Sequence, residues 1–191
     1  MSTSIQALLA KPELLTLSAP QASKGGIKIC ALKHDSKPVT VKLAEDLTSA
    51  STPFAPSVFG GGEADRKGIL FNISEQAYED FYALEQLCIK QLQEHVPDIM
   101  RLWRSPLTPA DKFSASLKAK INTGGDRKVK YFNAENEPTE EPESWRRLPV
   151  NAVIAVRGCY LQKMQAGLLL DVTHVQLGDL EESAPENSPF L

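Results

Sequence analysis

The sequence is poor in the residues that build metal sites, disulfides and catalytic centres. Its three cysteines, Cys30, Cys88 and Cys159, lie far apart with no CxxC spacing. That argues against a disulfide framework or a zinc site and reads them as core or reduced thiols in an intracellular compartment. His34, His95 and His174 have no HxxxH or HExxH neighbour, and no GxSxG occurs. The triplet Gly60, Gly61, Gly62 lacks the GxxxxGK[ST] pattern of a phosphate-cradling loop, so it reads as part of a mobile connection. No stretch approaches the roughly 20 apolar residues of a membrane span. The N-terminal MSTSIQALLAKPELLTLSAP has no basic leading region and no long apolar run, so no signal peptide is expected. The expectation is a chain that is not an enzyme, carries no metal or cofactor and does not enter a membrane.

Charge of either sign is not in excess. The net charge is −3, from 21 basic and 24 acidic residues. Distribution matters more than the total. The segment from Asp179 to Leu191 holds Asp179, Glu181, Glu182 and Glu186 and no Lys or Arg. Without it the balance becomes 21 against 20, or +1. A second acidic cluster spans Glu135 to Glu143, whereas Lys118, Lys120, Arg127, Lys128 and Lys130 stand close together. That grouping is either a solvated face or a binding surface.

What is present is alternation. At 191 residues with 42% hydrophobic residues, one domain with a real core is expected. The expected organisation is a flexible N-terminal arm over 1–24, a domain over 25–178 and an acidic tail over 179–191. GIKICALK and PVTVKL read as a hairpin about the turn segment HDSKP, with Val39, Val41 and Leu43 inward. Ala44 to Arg66 is a long loop in which Phe54 and Phe59 dock on the body. KGILFNI is a strand. Ser74 then caps one long helix running to about His95, with Phe81, Leu84, Cys88 and Leu92 inward and Glu85 facing water. Trp103 anchors its loop to the core.

The C-terminal third carries the functional argument. In FSASLKAKIN, Phe113, Ala115, Leu117, Ala119 and Ile121 point one way and Lys118 and Lys120 the other. TGGD reads as a hairpin turn. Lys128, Lys130 and Phe132 then share a face, and if the two strands pair as neighbours they form a basic ridge ending in an aromatic ring. Lysines neutralise phosphates, and a ring stacks on any base without reading it. Two long strands, VNAVIAVRGCYLQ and AGLLLDVTHVQL, close the fold. Their inward set shifts from Leu168, Leu170 and Val172 to Val175 and Leu177, which predicts a β-bulge.

The order of these blocks resembles the OB-fold single-stranded DNA-binding proteins of tailed phages and large eukaryotic DNA viruses. Three features carry the likeness. One is the basic strand followed by F-x-A-x-x-x-P at Phe132, Ala134 and Pro138. Another is G-L-x-L-x-V-x-x-V-Q-L from Gly167 to Leu177. The third is the acidic tail with Phe190 near its end. The resemblance implies a mainly β chain with one long helix (α+β), an OB-like antiparallel β-barrel. It implies sequence-non-specific binding of single-stranded DNA in replication, recombination or repair, inside the host cell. Lys118, Lys120, Lys128 and Lys130 would contact phosphates, and Tyr131, Phe132 and Tyr160 are the stacking candidates. Tyr131 and Phe132 are adjacent, so at most one of them stacks from a regular strand, and Arg157 suits either role. The tail, with Glu181, Glu182, Glu186 and Phe190, would compete with DNA or recruit replication proteins, and a homodimer is compatible with the pattern. The alternative is a β-barrel protein-interaction or viral scaffolding module.

Overall fold

Twelve strands and three α-helices form among residues 3–58 and 65–179, the residues described by a computed structural model. In chain order they are α1 (Ile5–Leu9), β1 (Leu15–Leu17), β2 (Gln21–Ala22), β3 (Lys28–His34), β4 (Lys37–Lys42), β5 (Ala50–Thr52), β6 (Arg66–Ile73), α2 (Glu75–Gln93), α3 (Ile99–Leu102), β7 (Leu107–Thr108), β8 (Ser116–Asn122), β9 (Lys130–Phe132), β10 (Pro138–Thr139), β11 (Leu148–Leu161) and β12 (Ala166–Leu177). The chain is mainly β, an α+β arrangement of OB-like type.

Most strands form where period two predicts them. β3 and β4 are joined by Asp35 and Ser36, both at positive φ (49° and 62°), as a two-residue hairpin turn requires. Val39, Val41 and Leu43 are buried from this side. β8 buries Leu117, Ala119 and Ile121 and exposes Lys118 and Lys120. It begins three residues later than the alternation suggests, and Phe113 is 85% exposed rather than inward.

The pairings return to the strand where they begin. β11 pairs with β5, β5 with β6, β6 with β8, β8 with β12, and β12 with β11. The sheet departs from the wholly antiparallel one expected from sequence. β12 pairs in parallel with both β8 and β9. The reason lies in the TGGD segment, which does not reverse the chain. β8 and β9 lie end to end along one edge of β12, running the same way, with residues 123–129 as an excursion between them. Val129 N donates to Asn122 O across its mouth at 2.8 Å.

Two irregularities bend the long hairpin β11–β12. The register shifts between Val153 and Ile154, where Thr173 is the additional residue, and again between Val156 and Gly158, where Arg157 is. The first is the bulge expected from the change of inward phase. At the second, β11 exchanges one neighbour for another: Val153–Val156 pair with β4 and Gly158–Leu161 with β3. Gly158 has φ +126°, and a Cβ there would come within 1.9 Å of Cys30 O. Only glycine lets β3 approach this closely.

α2 covers one side of the core. Ser74 caps it, its Oγ accepting from Ala77 N at 3.2 Å. At 19 residues it is of ordinary length for a globular protein, not the long helix expected. Phe81, Leu84, Cys88 and Leu92 are buried. So is Glu85, 2% exposed, against the expectation that it faces water. It is held there by two donors: Trp103 Nε1 gives to Oε1 at 2.7 Å and Ser105 Oγ to Oε2 at 3.0 Å. A carboxylate at this depth survives only with such partners. The same bond makes Trp103 the anchor expected of it.

The N-terminal segment is docked from Thr3 onward, not a free arm. Ile5, Leu8 and Leu15 are core residues. Gln91 on α2 clasps β1, accepting from Leu17 N and donating to Leu15 O, both at 2.8 Å. Cys30 and Cys159 are ladder partners, and Cys88 on α2 meets Cys159. All three are free and buried. Burial raises the Cys30 thiol, and the hydrogen bond with Cys88, then burial, raises that of Cys159. Both are therefore protonated and unreactive at neutral pH.

Candidate nucleic-acid interface

The outer face of the sheet is built by register. Because directly paired residues share a face, the ladders place Leu70 beside Lys118, and Gly68 beside Lys120 beside Asp171. One row further, Lys42, Val153, His174 and Lys130 cross four strands, followed by Asn151, Gln176 and Phe132. The Thr173 bulge is what brings Asp171 and His174, three residues apart, to the same side.

Two depressions lie on this face. The first, about 670 Å³, is lined by Phe54, Arg66, Arg104, Lys118, Lys120 and Tyr160, with Leu70 and Leu169 among its apolar walls. Phe54 is 69% exposed and stands at its rim instead of docking. Tyr160 is half-buried; burial raises its phenol and nearby Arg104 partly offsets that. The second, also about 670 Å³, has Lys42, Phe132, His174 and Gln176 in its wall. Phe132 and His174 stack there, ring centroids 5.8 Å apart at 28°. Burial first, then Lys130, lowers the His174 pKa below its ordinary 6.5.

Asp171 lies at the centre of the face and is 5% exposed. Arg66 Nη2 donates to its Oδ1 at 2.8 Å and Arg157 Nε to its Oδ2 at 3.3 Å. Arg157, the bulge residue of β11, is thus aimed across β12. One carboxylate against two guanidiniums leaves this trio with a net charge of +1. Both guanidiniums retain exposed surface.

The structure sorts the residues expected from sequence. Lys118, Lys120, Lys130, Phe132, Arg157 and Tyr160 share the outer face. The ridge is in tandem along β12, not side by side, because β8 and β9 do not pair. Lys128 is exposed but shares a separate depression of about 750 Å³ with Lys130, Glu140 and Glu141. Tyr131 does not stack at the surface: it is 4% exposed and packs edge-on against Trp145, centroids 5.9 Å apart. Alternation forces this, since Phe132 faces out. Glu181, Glu182, Glu186 and Phe190 of the tail, and Phe59 and Gly60–Gly62 of the loop, lie outside the described residues.

Sequence reasoning missed Arg66, Lys42, Asp171, His174 and Gln176. The last three were legible as the outward set of β12 once the bulge was counted. Arg66 lay at a strand edge read as loop, and Lys42 was seen as outward without a partner.

No protein-family model matches the chain, and no curated protein matches it by sequence. Solved structures do match. The single-stranded DNA-binding protein gp2.5 of bacteriophage T7 aligns over 78% of this chain and 91% of its own at 10% identity, with a TM-score of 0.54. A C-terminally truncated single-stranded DNA-binding protein of bacteriophage Enc34 aligns over 87% and 97% at 13% identity, with a TM-score of 0.50. Among the described residues no helix is long and apolar enough to cross a membrane, and no cluster of metal-ligating side chains occurs. In fold, the chain resembles these phage single-stranded DNA-binding proteins.

Proposed function

We propose that the chain binds single-stranded DNA on the outer face of its sheet, mainly through phosphates and stacking. The observation that carries this reading is the placement of Lys118, Lys120, Lys130, Arg66 and Arg157 on one face together with the half-buried rings of Tyr160 and Phe132. Cations track a phosphate backbone, and rings between them take bases of any kind. The closed circuit of strand pairings supports reading the scaffold as an OB-type barrel. Roles in replication, recombination or repair, inside a host cell, and recruitment of replication proteins by the acidic tail, follow from the same reading.

Fluorescence anisotropy with labelled oligo-dT, duplex DNA and single-stranded RNA, at several salt concentrations, tests it. Tight binding of oligo-dT that weakens steeply with salt, with duplex bound far less tightly, is expected. No binding of any oligonucleotide at low salt, with or without residues 179–191, overturns it and leaves a protein-interaction module.

A further inference from the structure

The second depression carries more than cations and a ring. Thr173 Oγ1 donates its one proton to Val153 O at 3.1 Å. Toward His174 Nδ1, 2.9 Å away, it can therefore only accept. Both contacts are satisfied together when the neutral imidazole carries its proton on Nδ1, which leaves Nε2 as a lone-pair acceptor. Gln176 is fixed in the same manner. Its Nε2 donates to Ala134 O at 3.0 Å, and no donor among the described residues meets its Oε1. Asn151 adds nothing here, since both ends of its amide are taken by the Ala44 backbone at 3.2 and 3.0 Å. The wall thus offers two side-chain acceptors beside the ring pair Phe132–His174. Lys42 and Lys130 stand at either end of the His174 row.

We infer that this depression is a nucleobase subsite selective for bases with an exocyclic amino group over uracil and thymine. An amino group brings two N–H donors to His174 Nε2 and Gln176 Oε1, the acceptors beside the stacked rings, while the donors of the same wall, Thr40, Lys42 and Asn136, are left to phosphate and sugar oxygens. The 4-oxo group of uracil or thymine brings lone pairs against lone pairs, and the single N3–H beside it can satisfy only one of the two acceptors. Failure to satisfy such groups discriminates more sharply than added apolar contact. The ring pair supplies stacking surface and the lysines hold the flanking phosphates. The inference rests on the proposed DNA-binding reading and adds a base preference at one position of an otherwise indifferent face.

Anisotropy at pH 7.5 with oligo-dC, oligo-dU and oligo-N4,N4-dimethyl-dC of equal length tests it. Oligo-dC should bind about fivefold more tightly than oligo-dU, and dimethylation, which removes both donors, should abolish the advantage. His174→Phe, which keeps the ring, and Gln176→Met should each shrink the ratio of oligo-dC to oligo-dU affinity. Equal affinities for oligo-dC and oligo-dU overturn the inference and leave the DNA-binding reading intact. So does a preference that survives dimethylation, a readout that needs no variant to fold. Failure of every oligonucleotide to bind overturns both.

Discussion

Trp103 donates its indole N–H to the buried Glu85 carboxylate at 2.7 Å. With Ser105 on the second oxygen, this fixes the start of the segment whose Arg104, Ser105 and Pro106 wall the first depression. Arg104 N then donates to Ala166 O, and Lys118 N to Pro106 O. Glu85→Leu should destabilise the chain by about 3 kcal/mol, because two donors lose their partner, and Glu85→Gln by about 1 kcal/mol. Urea denaturation measures both. Equal losses for the two variants would show that packing volume, not hydrogen bonding, sets the cost.

Tyr131 and Phe132 are neighbours with opposite fates. The Tyr131 hydroxyl is buried with no hydrogen-bond partner, and burial holds its pKa far above the ordinary tyrosine value. Tyr131→Phe should therefore be neutral or stabilise by up to about 1 kcal/mol, and leave DNA affinity unchanged. Phe132→Ala should weaken oligo-dT binding about tenfold with little change in stability. Thermal melts paired with anisotropy distinguish the two.

The lysines should not contribute equally. Replacing Lys118, Lys120 or Lys130 with Gln should each lower the slope of log affinity against log salt by about 0.7. Lys128→Gln should change it less, because Lys128 stands in the excursion 123–129, off the ladder that seats Lys130 beside His174.

Asp171→Asn frees Arg66 and Arg157 from their common anion. The salt slope should steepen by about 0.7 to 1.4 and affinity at low salt should rise. Stability should fall by only about 1 kcal/mol, since both guanidiniums are well exposed. A drop in affinity would mean that the carboxylate's aiming of the arginines outweighs its charge.

His174 gives the face a pH response. Its pKa in the fold lies below the ordinary 6.5. Protonation is thus opposed by the native state, so its effect on stability is absent above about 6.5 and grows unfavourable as pH falls below that. The charged groups around it are Lys130 on β9, Lys42 across Val153 on β4, and Asp171 on its own strand. Bound phosphates favour the protonated ring, so oligo-dT affinity should rise from pH 7.5 to 5.5. His174→Phe should flatten that rise.

Much of this was legible in the sequence where one physical rule acted alone. Period two located β4, β6, β8 and the final hairpin, and the phase change in β12 announced its bulge. Ser74 announced α2. Errors came where a local rule met a tertiary partner. Glu85 has a polar side chain at a helical position that looks solvated, yet two donors eighteen and twenty residues away hold it inside. TGGD has the composition of a hairpin turn, but the free edge of β12 offered the chain a reason to continue forward. The gathering of Cys30, Cys88 and Cys159 depends on long-range pairing that spacing does not encode.

The tandem seating of β8 and β9 separates the length of the chain from the geometry of its face. Lys120 and Lys130 are ten positions apart, but their places are set by Asp171 and His174, three positions apart on β12. The excursion 123–129 can therefore lengthen or shorten between homologous chains without moving one lysine relative to the other. The ruler for spacing phosphates is β12, and a single deletion at Thr173 would recalibrate it.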